Sequence, residues 1–144
     1  FEASNISVGR GTTAPFRWIG APWFDAEEIA KRLNKAGLEG VSFSAADFSP
    51  TKSVFSGVLC HGVRMKVLDR DKLRPLAVFA HLATALRDQH PNEIQWRWDE
   101  VLRMAGTRKF QEMYEKGASA EEIVRMFDDG ARGFEVVRRP YLLY

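Results

Sequence analysis

The hexapeptide Gly62-Val63-Arg64-Met65-Lys66-Val67 constrains the fold more than any other stretch of this chain. Its side chains alternate with a period of two, so Val63, Met65 and Val67 face one side of an extended strand and Arg64 and Lys66 the other. Such a strand does not suit a parallel sheet buried on both faces. It calls for a sheet with one face on a core and one in water, which antiparallel and mixed sheets provide.

Two shorter runs also read as strands. Phe16-Arg17-Trp18-Ile19 alternates and stops at Gly20-Ala21-Pro22, and Val41-Ser42-Phe43-Ser44 alternates until Ser49-Pro50 breaks it. Helices are signalled between them. Asp25 fits an N-cap with Glu28 three residues on as its capping-box partner, and Phe24 and Ile29 fit a hydrophobic staple. Ile29, Leu33 and Ala36 continue the stripe up to Gly37. Pro75 suits a first helical position, and Leu76, Phe79, Leu82, Ala83 and Leu86 follow at helical spacing until His90-Pro91. Thr107 and Ser119 fit the caps of two further helices, with Glu122 as the box partner of Ser119. The last helix carries Ile123, Phe127, Phe134 and Val137, passes the weak points Gly130 and Gly133, and must end near Pro140. The expectation is a single α+β domain over residues 1–144: a small mixed or antiparallel sheet covered by about four helices.

Composition narrows the function classes. The chain has 144 residues, 45% of them hydrophobic and 28% charged, in keeping with one globular domain. A net charge of +2 is too small to argue for nucleic acid. No apolar run approaches the ~20 residues of a membrane span. Cys60 is the single cysteine, so neither an internal disulfide nor a multi-cysteine metal site is available. His61, His81 and His90 share no ligand-like spacing, and neither a metal nor another cofactor is expected. Ser56-Gly57 lacks the G-x-S-x-G elbow. Cys60 with His61 or His81 is a nucleophile reading, set against the ordinary role of a free cysteine as a small buried hydrophobe.

The opening run Phe1-Glu2-Ala3-Ser4-Asn5-Ile6-Ser7-Val8-Gly9-Arg10-Gly11-Thr12 has no starting methionine and neither a helical nor a strand period. It reads as a shaped loop at the edge of a longer protein, and shaped loops often hold ligands. Glu2 and Asn5 can hydrogen-bond hydroxyl or amide groups, and Arg10 can pair bidentately with a carboxylate. The same side chains can instead cap local backbone. Both readings are open. Gly9-Arg10-Gly11-Thr12 matches no phosphate-loop pattern, leaving an anion nest or a plain turn. Trp96-Arg97-Trp98, if extended, puts two indoles on one face, either to stack on a sugar or base or to cover helix ends in the core. Arg138-Arg139 fits a solvated helix end.

Three stretches in order carry a family resemblance. They are the opening run with Pro15-Phe16 and Gly20-Ala21-Pro22-Trp23; Cys60-His61-Gly62-Val63 with Asp69-Arg70 and Arg74-Pro75; and Arg139-Pro140-Tyr141-Leu142-Leu143-Tyr144. With Ala105-Gly106-Thr107 and Gly117-Ala118-Ser119, these resemble the C-terminal domain of the exo-β-N-acetylmuramidase (NamZ) family across essentially the whole chain. Ala3 and Ser4 depart from the family's usual Gly and Thr. The resemblance implies a bacterial enzyme, usually exported to the periplasm or outside the cell, that removes terminal N-acetylmuramic acid from the non-reducing ends of peptidoglycan fragments in cell-wall recycling. It also implies a Rossmann-like N-terminal domain, absent from this chain, that holds the catalytic carboxylates, with a cleft near the domain junction where Glu2, Asn5 and Arg10 fall. Glycoside hydrolysis ordinarily uses two carboxylates. Only Glu2 sits in a site-like loop here, while Glu27, Glu28, Glu121 and Glu122 belong to first helical turns. The isolated chain is therefore expected to be inactive alone. Its expected partners are a muropeptide and the N-terminal domain, with neither nucleic acid nor membrane among them. A non-catalytic glycan-binding or structural interaction module is the alternative.

Overall fold

The structure is a computed structural model describing residues 1–142, so Leu143 and Tyr144 of the terminal motif lie outside the described residues. Its sheet is antiparallel, with β3 (Cys60–Val67) between β1 (Trp18–Ala21) and β2 (Val41–Phe48). The alternation in β3 holds: Val63 is buried while Arg64 and Lys66 are exposed. β1 starts two residues later than the alternation suggested, because Phe16 sits at φ 64°, and it continues through Gly20 and Ala21 instead of stopping there. Gly20 lies opposite Gly62 in the ladder, and a Cβ on either would come within 2.2 Å of a carbonyl oxygen of the other strand. The glycine therefore belongs to the strand as the condition for its close approach.

α1 (Ala26–Lys35) buries Ile29, Ala30 and Leu33 against the sheet. The Asp25 carboxylate accepts from the Glu28 amide at 3.2 Å, but the Asp25 amide donates to His90 Nε2 at 3.1 Å, so His90 replaces Glu28 in the second half of the box. Near its C-terminus, Asn34 donates to the Phe43 carbonyl at 2.8 Å and accepts from the Phe43 amide at 3.0 Å. One amide side chain thus occupies the free edge of β2, where another strand could otherwise pair.

α2 (Pro75–Gln89) is the central element. Val78, Leu82 and Leu86 pack into the sheet core, while Ala80 and Ala83 face a second core. Burial on two sides leaves Leu76, the first residue of the expected stripe, exposed. The second core is aromatic, built from Phe79, Trp96, Trp98, Phe110, Tyr114 and Phe127. α4 (Lys109–Glu115) and the first half of α5 (Ala120–Arg138) enclose it. Ser119 and Glu122 form a complete capping box, while Thr107 accepts from the Lys109 amide one residue ahead of the N-cap Arg108.

The class is α+β, with five α-helices among the described residues. The additional one is α3 (Trp98–Ala105), which begins where the Trp-x-Trp alternation suggested continued extension and ends at Gly106 in the left-handed region. α5 runs unbroken through Gly130 and Gly133 into a 3₁₀ turn at Arg139–Tyr141. Its C-terminal half leaves the body of the domain: Phe134 and Val137 are 63% and 62% exposed.

Candidate functional site

The opening segment is held on both sides. Ser4 forms a β-bridge with Trp96 and Ser7 one with Gly20. On the first side the Asn5 amide donates to the Gln95 carbonyl at 3.1 Å and the Arg97 amide to the Ala3 carbonyl at 2.8 Å. On the second, Ser7 and Gly20 exchange both backbone bonds, at 2.9 and 3.0 Å. The segment thereby spans the connection between α2 and α3 and the edge of β1. Ile6 drops into the sheet core and Ala3 into the aromatic core. Ala3 does not take a positive φ, so its side chain imposes no left-handed strain there. The Ser4 hydroxyl is fully buried, donating to the Phe1 carbonyl at 2.7 Å and accepting from the Ile6 amide at 3.2 Å.

Gly9-Arg10-Gly11-Thr12 forms a turn. Both glycines have positive φ, and the Thr12 amide and hydroxyl both donate to the Gly9 carbonyl, at 3.1 and 2.6 Å. A Cβ at Gly11 would lie 2.2 Å from Thr51 Oγ1, which itself donates to the Gly11 carbonyl. The turn carries Arg10 outward. Its guanidinium pairs with the Glu2 carboxylate and lies 5.3 Å from the centre of the Phe16 ring. The two charged side chains are 48% and 49% exposed. A guanidinium has five N–H donors, so a half-exposed Arg10 paired with one carboxylate can still receive a second oxyanion.

The structure thus brings Glu2 and Arg10 together and separates Asn5 in role. The Asn5 side chain donates to the Glu93 carbonyl at 2.7 Å and accepts from the Gln95 amide at 2.9 Å, spending both functions on backbone. Arg97, which the sequence reading passed over, holds the same loop. Its guanidinium donates to the Ser4 carbonyl at 3.0 Å and to the Glu2 carbonyl, and pairs with Glu100 at 2.8 Å. No motif marks this role, because it depends on a contact more than 90 positions away. Trp96 and Trp98 do stack, at 5.6 Å and 22°, but within the aromatic core beside Phe110 and Tyr114.

The other candidates separate in space. Cys60 is fully buried, and that burial pushes its thiol above the usual range, away from the thiolate a nucleophile needs. His61 adjoins it on a strand and so points to the opposite face, where Nδ1 meets the Asp47 carboxylate at 2.7 Å. His81 lines a hollow of about 340 Å³ with Glu121, Arg74 and Arg125, and burial lowers its pKa. Among the described residues no three His, Cys, Asp or Glu side chains converge on a common point.

The fold is thus an antiparallel α+β domain whose opening segment carries a half-exposed Glu2–Arg10 pair. The model of the family "Exo-beta-N-acetylmuramidase NamZ, C-terminal" matches residues 1–144, and the chain belongs to that family. It is 37% identical over 144 residues to the peptidoglycan β-N-acetylmuramidase NamZ of Bacillus subtilis strain 168, covering 99% of this chain and 35% of that protein. Crystal structures of two DUF1343 family proteins from Bacteroides fragilis NCTC 9343 are also similar. One superposes with a TM-score of 0.81 at 24% identity, covering 99% of this chain and 39% of that one. The other has a TM-score of 0.59 at 25% identity, covering 100% and 38%. The chain therefore spans little more than a third of the length of each of these relatives.

Proposed function

We propose that this chain is the C-terminal part of an exported peptidoglycan glycosidase that releases terminal N-acetylmuramic acid from non-reducing ends, and that its opening loop forms one wall of the substrate cleft. The Glu2–Arg10 pair is the observation that carries the reading. Its guanidinium is half-exposed on a turn that follows a segment anchored in both cores, and Glu2 lies in that segment. N-acetylmuramic acid bears a lactyl carboxylate, which a guanidinium can take bidentately, and an N-acetyl group, whose N–H suits a carboxylate acceptor. Arg10 receives the first, and Glu2 orients Arg10 while accepting from the sugar. Asn5 serves by fixing the loop against residues 93–95. Chemistry is assigned to carboxylates of the preceding domain, since Glu2 alone does not make a glycosidase pair.

The experiment compares full-length protein with residues 1–144 alone on a muropeptide with N-acetylmuramic acid at its non-reducing end. Release by the former and none by the latter is the expected result. Release by the 144 residues alone would overturn the division of labour. Full-strength muropeptide binding by those residues, with no release by the full-length protein, would favour a non-catalytic glycan-binding module.

A further inference from the structure

The surface hollows of this molecule differ in charge. The one beside His81 sets Arg74 and Arg125 against Glu39 and Glu121, and the one between α4 and α5 sets Lys109 and Arg125 against Glu122 and Asp129. The hollow on the wet face of the sheet has a volume of about 640 Å³ and only cations in its charged lining: Arg17, Arg64, Lys66 and Arg70. The whole chain has 21 Lys and Arg against 19 Asp and Glu, so this is a local concentration and no reflection of overall charge.

No carboxylate among the described residues forms an ion pair with these four cations. The nearby Asp69 carboxylate accepts from the Asp71 and Lys72 amides within its own turn, and Asp47 is engaged with His61. The strand register orders the site. Arg64 lies opposite Ser44 and Lys66 opposite Ser42, giving two rows that each combine a cation with a hydroxyl, roughly 7 Å apart as alternate strand residues are. Crowded like charges repel, and a bound anion relieves that repulsion.

We propose that this hollow binds an extended polyanion whose oxyanions, phosphate or carboxylate, repeat along the strand direction. Three of the four cations are arginines, whose planar forks match both kinds of oxyanion. Nucleic acid fits poorly: the one aromatic side chain in the lining, Phe43, is buried in the core and offers no face for base stacking. A flat lipid surface fits poorly too, because the cations line a recess whose one exposed large apolar side chain is Leu68. Glu2, Asn5 and Arg10 do not line this hollow, so the inference stands apart from the glycosidase reading.

The test is calorimetric titration of the full-length protein with inorganic polyphosphate and with poly-L-glutamate at several salt concentrations. The Arg64→Thr/Lys66→Thr variant keeps the strand's propensity, and Lys109→Gln/Arg125→Gln serves as a control of equal charge change. The sheet variant is expected to bind at least one polymer tenfold or more weakly, with the slope of log affinity against log salt reduced by about 1.5. The control should lose less than threefold. An Arg17→Gln/Arg70→Gln variant, outside the strands, should reproduce the loss if the strand variant unfolds. Equal losses in control and sheet variants would overturn the proposal, as would failure of both polymers to bind. So would tighter binding of oligothymidylate or phosphatidylserine vesicles than of either polymer.

Discussion

Asn5 and Arg10 sit five positions apart in one loop and divide its work. Replacing Asn5 by Ala leaves the Gln95 amide and the Glu93 carbonyl without their partner, a loss of about 1–2 kcal/mol in denaturant unfolding. Arg97→Ala should cost a similar amount, by releasing the carbonyls of Glu2 and Ser4. Arg10→Ala removes a half-exposed ion pair and should change stability by less than about 1 kcal/mol. A protein destabilised by Arg10→Ala as much as by Asn5→Ala would make Arg10 part of the scaffold. His81 yields a prediction in pH. Burial depresses its pKa below the ordinary 6.5, so below that pH the unfolded chain binds the proton more readily than the folded one. The contribution of His81 to the unfolding free energy should be constant down to about pH 6.5 and then decline, before the acid loss shared by Glu121, whose own pKa is lowered by its backbone and Ser119 hydrogen bonds. His81→Gln should flatten the first part of that decline, and an unchanged profile would remove His81 as its source. Caps of this kind are legible in sequence when the partner lies within one turn, as with Ser119 and Glu122. The His90 contact to Asp25 is not, because its partner comes from 65 positions away.

At the scale of elements, α5 tests how a helix stands without packing. The Ser119–Glu122 box should contribute about 1 kcal/mol, lost in Ser119→Ala and visible as a lower unfolding midpoint. Beyond Asp129 the helix is exposed, and a Cβ at Gly130 or Gly133 would meet nothing within 4 Å. Either glycine changed to Ala should therefore stabilise the segment by about 1 kcal/mol and slow amide exchange over residues 130–138 roughly fivefold. Slower exchange would fail to appear if that half were already clamped by a partner. The apolar stripe of α5 was legible throughout. What it faces was not, because periodicity marks a face without saying what covers it. α3 was hidden for a different reason. Asp99 and Glu100 in its first turn, Arg103 in its last and Gly106 after it are regular helix signals, but Trp96-Arg97-Trp98 overlays them with a strand-like alternation. Only the packing of both indoles into the aromatic core resolves the conflict.

For the molecule as a whole, the opening segment is the seam between two cores. Ile6 belongs to one, Ala3 to the other, and Phe1 packs against both. A loop fixed in this way can present charged side chains with little freedom, as a binding wall requires. The sequence marked the loop and its three polar residues but left open whether they served a ligand or the backbone. The geometry divides them, with Asn5 on the backbone and Glu2 and Arg10 facing outward. The direct test of the proposed wall is the selectivity of Arg10→Ala in the full-length protein, read as kcat/KM on matched substrates ending in N-acetylmuramic acid or N-acetylglucosamine. These sugars differ by the lactyl group. Loss of a charge-assisted bidentate contact should lower the first value by about tenfold or more and leave the second within about threefold. Equal losses on both substrates would contradict Arg10 as the residue that reads the carboxylate.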